Sequence, residues 1–510
     1  MINGNFVATG EKTDMMQYVS TRGRSERTTA AGAIKQGLAG DGGLFVPEEI
    51  PLLHEDMLTS LCGMTYPQRA AKILFMYLDG EYTEEELLAD CEDAYSRKRF
   101  PGGPAPIAAL GEKLRVLELW HGPTAAFKDM ALQIMPKLLS RALVKTGESR
   151  TAYILVATSG DTGKAALEGY RDVDGVRITV FYPVDGVSRV QKLQMATQEG
   201  TNVSVHSVVG NFDDTQNGVK QIFADPATAQ ALQEKGYFFS SANSINWGRL
   251  VPQIVYYISA YCDLVNDGSI RMGDEINVCV PTGNFGNILA AYFAKKMGLP
   301  IHHLVCASNK NHVLTDFFAT GVYDRSRPFY TTTSPSMDIL ISSNLERLLY
   351  LTAGAEETVS LMRQLKENGS YRIDEKLRVR LNHRFTGMYC DEDRTAETIR
   401  TTYEKYKYLC DTHTAVGLYC AEKYMKEFDG NRVMLSVSTA SPYKFAPAVY
   451  RDLTGKIFEN ELDAMQALEE LTCVPVPAPL SGIAERKIRF DPEASIARED
   501  MLKTVLAEMN

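Results

Sequence analysis

The sequence predicts an α/β protein whose main sheet is parallel and covered by helices on both faces, and two observations carry that prediction. First, between residues 113 and 310 short apolar runs alternate with helical patterns. The runs are Leu114–Trp120, Ala152–Ala157, Arg177–Tyr182, Val203–Val208, Ile276–Val280 and Ile301–Cys306. Continuous apolar strands separated by helices belong to parallel sheets buried on both faces. Second, several of these runs end in loops rich in Gly, Ser and Thr that open into helices. In open parallel sheets, ligands bind at the carboxyl ends of the strands. The loops after Trp120, Ala157, Tyr182 and Val280 are therefore where a site is expected.

In chain order, residues 1–105 form a separate unit. Its first stretch reads as a disordered lead. Tyr18–Gly23 is a short strand ending in a turn, Thr28–Gln36 is helical, and Gly40–Gly43 turns the chain before the apolar Leu44–Val46. Two helices are expected at Tyr66–Leu78 and Thr83–Tyr95. The second carries a capping box, Thr83 with Glu86 three residues on. Pro101-Gly102-Gly103-Pro104 is the strongest break in the chain. Residues 106–450 form the core, with a part at 150–210 expected to move and a helical insertion at 311–430. Within the insertion, Asn344–Leu349 and Glu356–Lys366 read as helices, and the charge-rich Asp374–Arg400 as solvated surface. A last strand, Arg432–Val437, leads into Ser438–Pro442, and 451–510 is a C-terminal extension with short helices around the proline-rich Val474–Pro479.

Size and composition narrow the class. The chain has 510 residues, 45% hydrophobic and 23% charged, with a net charge of -10, which is close to an average soluble protein. That charge disfavours nucleic acid and anionic membranes as partners. No apolar run reaches the ~20 residues that span a bilayer, and the N-terminus has no secretory pattern. The nine cysteines are scattered and without CxxC spacing, the usage of a reducing cytoplasm. The histidines show no metal-binding spacing, and no metal is expected.

Chemistry concentrates in His121–Gln133, HGPTAAFKDMALQ. His121–Thr124 is a turn, and Met130–Leu143 has helical periodicity. Lys128 therefore lies at a helix N-terminus, where the macrodipole disfavours a cation. Such a lysine loses its proton more readily and becomes an amine nucleophile. Position alone is equally compatible with a surface lysine in a strand-to-helix loop.

Pro281–Asn287, PTGNFGN, follows a strand and opens a helix. Gly283 and Gly286 allow close backbone approach, so Gly283, Asn284, Phe285, Gly286 and Asn287 can turn their amides toward a phosphate. The loop lacks the spacing of a dinucleotide motif and the lysine of an ATP loop; a ligand-free glycine turn is the alternative. Ala157–Gly163, ATSGDTG, is followed by Lys164 but fails the P-loop spacing. Its hydroxyls, Thr158, Ser159 and Thr162, suit a carboxylate at a helix start, and Asp161 among them must face something other than an anion. Ser241–Arg249, SANSINWGR, groups Asn243, Ser244 and Arg249 as phosphate donors, although pattern alone favours a helix start with a surface arginine.

Taken together, these segments resemble the threonine synthase family, in its longer fungal and bacterial form. YVSTRG, DGGLFVP, HGPTAAFKD, ATSGDTG, PTGNFGN, NSINWGR, SPSMDI, SSNLERLL, DTHTAVG and STASPYKF all recur in order. The resemblance implies a fold type II enzyme with two α/β lobes, a smaller N-terminal domain and helical insertions. It implies pyridoxal 5'-phosphate as cofactor, carried on Lys128 as a Schiff base. Gly283–Asn287 would hold its phosphate, Thr439 its ring nitrogen, and Asp161 would lie near its phenolic oxygen. Ser159, Thr162 and Ser188 would contact substrate, and Asn243, Ser244 and Arg249 its phosphate. The implied reaction converts O-phospho-L-homoserine and water to L-threonine and phosphate by β,γ-elimination and replacement, in a cytoplasmic monomer or homodimer. Competing readings are a related lyase releasing a 2-oxo acid and ammonia, and a pyridoxal-phosphate-binding protein without turnover. Lys164, Asp185 and Val187 depart from the family pattern and bear on substrate affinity, while Gln191 agrees with it.

Overall fold

The computed structural model describes residues 15–185 and 187–509. The reading of the first residues as a disordered lead falls on 1–14, outside the described residues, as does Gly186 in the loop after Tyr182.

The alternating pattern divides into two parallel sheets. The larger has six strands in the order Phe385–Tyr389, Ile301–Ser308, Ile276–Pro281, Met434–Ser438, Leu114–Glu118, Ile107–Leu110, and the last of these is antiparallel to its neighbour. The smaller has five parallel strands in the order Ser495–Ile496, Val203–Val208, Val176–Pro183, Thr151–Ala157, Tyr237–Ser240. The chain leaves the large sheet after Glu118, builds four strands of the small sheet, and returns at Ile276; the fifth, Ser495–Ile496, comes from the tail. Central strands read as apolar runs because both of their faces are covered: Ile276, Val278, Cys279 and Val280 are all fully or almost fully buried. A three-stranded antiparallel sheet, Thr28–Thr29, Gln17–Ser20 and Phe45–Pro47, forms the N-terminal unit.

The N-terminal helices follow their end signals. Tyr66–Leu78 starts at a capping box formed by Thr65 and Gln68, with Pro67 inside its first turn. Glu84–Ala94 starts at Thr83, whose hydroxyl accepts the Glu86 amide at 3.2 Å.

The helices expected at Asn344–Leu349 and Glu356–Lys366 are both present within Leu345–Asn368, divided at Gly354, whose φ of 84° is not helical. Three expectations are corrected. Met130–Leu143 is not one helix but two, Asp129–Leu132 and Met135–Lys145, because Pro136 has no N–H to donate back to Leu132. The charge-rich Asp374–Arg400 is not all solvated surface, since it contains the strand Phe385–Tyr389 at the edge of the large sheet. Phe385, which is 1% exposed, packs flat on Phe318 at 5.3 Å. Finally, the tail from 451 carries more than short helices. Ser495–Ile496 pairs with Ser207–Val208, and helix Met501–Ala507 packs Met501 and Val505 against the small sheet's apolar face. Among the described residues no helix is long and apolar enough to cross a membrane.

Glu508 fixes this tail. Its carboxylate accepts from Thr179 Oγ1 at 2.5 Å and Tyr153 OH at 2.8 Å, and it pairs with His206 Nε2 at 2.6 Å. Burial pushes its pKa up, but these three partners win and hold it below its ordinary 4.5. A carboxyl whose pKa is depressed by folding stabilises above its unfolded value and loses that contribution as pH falls through the folded value. Glu508→Gln is therefore expected to cost about 1–3 kcal/mol at neutral pH. The gap from wild type should narrow as pH drops below 4.5, which urea titrations at several pH values measure.

Candidate active site

Lys128 lies where the two sheets meet. It is the N-cap residue of Asp129–Leu132, as its place in the sequence requires, and it is buried, with 8% of its surface exposed. The preceding residues are pinned to the end of the strand Met434–Ser438. Phe127 N donates to the Thr439 carbonyl at 2.8 Å, Ser441 N donates to the Ala125 carbonyl at 3.1 Å, and Ala126 bridges to Ala440. Ala125 takes the left-handed conformation, φ 57°, to make this turn. Asp129 draws the turn in from the other side, accepting from Thr124 N at 2.8 Å and Thr124 Oγ1 at 2.7 Å. A side chain at Gly122 would collide with Asp129, its Cβ falling 2.5 Å from the carboxylate oxygen.

The Lys128 amine donates to Asp161 Oδ2 at 3.3 Å and to Ser336 Oγ at 3.4 Å, and it sits 4.8 Å from the centre of the Phe127 ring. Burial lowers its pKa from the ordinary 10.5. Asp161 opposes the shift, while Lys444 and Arg249 add to it. The result is an amine that gives up its proton more readily than a free lysine. Asp161 is the first residue of helix Asp161–Tyr170 and is 3% exposed. Burial alone would raise its pKa, but Lys444, Lys128 and Gln191 hold the carboxyl well below the usual range. Gln191 Nε2 donates to Asp161 Oδ1 at 2.8 Å.

The loop after Ile276–Pro281 forms a concavity of amides. Thr282 Oγ1 donates to Asn287 Oδ1 at 2.6 Å, and Asn287 Nδ2 donates back to the Pro281 carbonyl at 2.9 Å. Phe285 is left-handed at φ 64°, which starts helix Gly286–Met297 abruptly. The loop carbonyls are taken: Ser342 Oγ donates to Gly283 O at 2.7 Å, and Asn344 N to Asn284 O at 3.0 Å. Its amides are not, for the N–H groups of residues 283–287 have no acceptor among the described residues. Five orphan donors at a helix N-terminus make an anion cradle.

The loop Ala157–Gly163 divides its hydroxyls. Thr158 Oγ1 is used internally, accepting from Gly160 N at 3.0 Å and Gly163 N at 2.9 Å. Ser159 and Thr162 are half-buried, and neither hydroxyl has a partner among the described residues. Ser188 caps helix Arg189–Ala196, accepting from Gln191 N at 3.2 Å. The Thr439 hydroxyl likewise has no protein partner among the described residues, although the residue is 6% exposed.

Arg249 is not the surface arginine its pattern suggested. It is 4% exposed, donates to the Ala242 carbonyl at 2.8 Å, and meets no carboxylate within ion-pair distance among the described residues. Burial brings its pKa down to about 10. A buried guanidinium without a counter-ion is unstable unless something else supplies the charge. Asn243 and Ser244 are half-buried nearby, and a Cβ on Gly286 would stand 3.7 Å from Ser244 Cβ. This group therefore borders the amide cradle. Of the departures from pattern, Lys164 pairs with Glu168 at 3.1 Å and with Gln198, Asp185 is exposed, and Val187 is buried.

Several residues of the site carried no role in the sequence reading. Arg347, with 0% exposure, donates to the carbonyls of Phe45, Ser244 and Ile245 at 3.0, 3.2 and 2.6 Å, tying the N-terminal unit to the Arg249 segment. His413 Nε2 accepts from Ser336 N at 3.1 Å, so Nδ1 is the nitrogen that donates to Asp411, at 2.7 Å. Lys444, Gln191 and Ser336 complete the set around Asp161 and Lys128. All but Gln191 lay inside segments of the resemblance without being singled out, since nothing in local spacing marks a residue brought in from a distant strand end.

Residues 102–439 match the family described as pyridoxal-phosphate dependent enzyme, 17–95 match threonine synthase N terminus, and 414–497 match threonine synthase, C-terminal. A threonine synthase of Pseudomonas aeruginosa is 37% identical, over 85% of this chain and 90% of its own length. The chain belongs to the threonine synthase family. A solved structure, PLP-bound threonine synthase from Brucella melitensis, has a TM-score of 0.85 at 36% identity, covering 97% of this chain and 98% of that one. The human relative named threonine synthase-like 1 is 42% identical over 89% of this chain, which spans only 61% of that protein's length. The fold is therefore fold type II of the pyridoxal-phosphate enzymes. The residues present fit the cofactor: an aldehyde phosphate requires one amine and one cradle of N–H donors, Lys128 provides the amine, and the N–H groups of residues 283–287 have no acceptor among the described residues.

Gly283 tests the geometry of that cradle. A Cβ there would lie 2.9 Å from the Ser336 carbonyl oxygen and 3.3 Å from Met337 Cα. Gly283→Ala should displace this crossing segment and cost about 1–3 kcal/mol, read by urea unfolding; a loss below about 0.5 kcal/mol would mean that the crossing is loose.

Proposed function

We propose that the chain is a threonine synthase that converts O-phospho-L-homoserine and water to L-threonine and phosphate. The observation that carries the reading is Arg249, a buried guanidinium with no carboxylate partner, next to a separate cradle of orphan amides. Two anion stations beside one buried amine suit a cofactor phosphate and a substrate phosphate. An amino-acid lyase whose substrate lacks phosphate has no use for the second station.

Gly283, Asn284, Phe285, Gly286 and Asn287 would hold the cofactor phosphate, Lys128 would carry the aldehyde carbon, and the Thr439 hydroxyl would face the ring nitrogen. When bound, pyridoxal phosphate supplies a conjugated electron sink beside the substrate α-carbon. Ser159 and Thr162 orient the substrate carboxylate, with Ser188 at the edge of the same group. Lys128, once its amine is released, removes the proton from Cα and moves protons at Cβ and Cγ. Burial lowers its pKa from the ordinary 10.5, which makes the proton easier to give up for this work. Arg249, Asn243 and Ser244 hold the phosphate oxygens at Cγ as the C–O bond breaks. Water then adds at Cβ. The small-sheet elements within 150–210 close over the site and keep water out until elimination is complete. The nine free cysteines and the net charge of -10 support a cytoplasmic enzyme, monomer or homodimer, without a nucleic-acid partner.

Arg249→Met should raise the KM for O-phosphohomoserine by about 10- to 100-fold, the worth of a charged hydrogen bond. It should leave unfolding stability unchanged or improved, because it removes an uncompensated buried charge. Incubation of the cofactor-loaded enzyme with O-phosphohomoserine should accumulate L-threonine and phosphate in equal amounts. Accumulation of 2-oxobutyrate and ammonia instead would make the protein a phospho-lyase.

A further inference from the structure

Two lysines converge on Asp161. Lys444, in the turn Pro442–Phe445, has no exposed side-chain surface and donates to Asp161 Oδ1 at 2.6 Å. It also donates to the Thr124 carbonyl at 3.0 Å, in the turn that leads to Lys128. Lys128 reaches the other carboxylate oxygen at the longer distance of 3.3 Å. Gln191 adds a neutral donor to Oδ1 at 2.8 Å. One negative charge thus faces two amines inside a site withdrawn from water, and it is shared unequally.

The other charged groups do not change this balance. Arg249 bears on Lys128 from the third side and adds positive charge there. Asp129 lies on the Lys444 side, but its carboxyl is buried and raised to about 6, and its oxygens are occupied by Thr124. Glu168, which bears on Asp129, is paired with Lys164 at 3.1 Å. His413 is turned to Asp411 and to the Ser336 amide. Among the described residues Asp161 is therefore the one carboxylate in ion-pair contact with either amine, and Lys444 holds it more closely.

We infer that Lys444 is the standing cation of the site, neutralising Asp161 so that Lys128 is left as the free amine. Lys444 is a positioning residue in this scheme, acting on Lys128 through Asp161. The inference rests on the proposed function only in taking Lys128 as the reacting amine. It accounts for a carboxylate in a loop that otherwise receives anions, since Asp161 with Lys444 is a closed pair and presents no net charge to substrate. It also follows that Asp161, closed by Lys444, favours a proton on Lys128 less than an unshared carboxylate in the same place would.

The test reads the amine itself. The full-length chain, freed of cofactor, is acetylated from about pH 6 to 10, and the rate at Lys128 is followed by peptide mass spectrometry. In Lys444→Met, Asp161 is left to Lys128 alone, and the midpoint for Lys128 should rise by about one pH unit or more. In Lys444→Met/Asp161→Asn the pair is removed together, and the midpoint should return most of the way to wild type. Should Lys444→Met not fold, Lys444→Gln replaces it, with the same expected rise. An unchanged or lower midpoint in the Lys444 single variant, or a double variant whose midpoint stays as high as the single variant's, overturns the proposal. None of these outcomes depends on the reaction catalysed, so the proposal can fail while the threonine synthase reading stands. A failure of that reading would appear in the products instead.

Discussion

The Asp161 carboxylate, withdrawn from water and matched by Lys444 and Lys128, is the interaction on which the rest of the site depends. A buried charge must be paired or it neutralises itself. Asp161 is paired at 2.6 Å and 3.3 Å by amines from two different segments. Those segments are themselves joined, because Phe127 donates to Thr439 and Ser441 donates to Ala125. The turn that presents Lys128 and the strand end that presents Thr439 and Lys444 therefore form one unit. A carboxylate on helix Asp161–Tyr170 closes that unit from the small-sheet side.

This arrangement joins the two sheets by charge as well as by apolar packing. Lys128 and Lys444 follow strands of the large sheet, while Asp161 and Gln191 begin helices that follow strands of the small one. The C-terminal segment reinforces the same contact. Glu461, at the start of helix Glu461–Thr472, accepts from Arg189 N at 2.9 Å and Val190 N at 3.0 Å, and so caps the helix that carries Gln191. Farther along, Glu508 anchors the tail on the small sheet. The tail thus holds the small sheet from both sides while the charge cluster faces the amine.

Much of the site was legible because its loops obey local rules. Glycines at 283 and 286 and a strand before them point to an anion cradle, and those amides have no acceptor among the described residues. The capping box at Thr83 and Glu86 and the strand Val203–Val208 required nothing beyond their own residues. What was not legible depends on residues distant in sequence. Alternation of strand and helix is the same for one sheet or two, so the division into two sheets had no local signal. Phe385–Tyr389 hid inside a charged stretch, as an edge strand needs to bury only one side. Arg249 looked like an ordinary helix-start arginine because burial is a property of what covers it, here segments tied down by Arg347. Lys444 sits in a segment that carried the family resemblance, yet its pairing with Asp161 spans most of the chain.

The claim that Lys128 is the amine that takes the cofactor, with Lys444 as its charged neighbour, is tested most directly by borohydride reduction of the cofactor-loaded enzyme followed by peptide mapping. The account predicts a single pyridoxyl group, on the peptide containing Lys128 and on that residue. A pyridoxyl group on Lys444, or one distributed over both lysines, would contradict it.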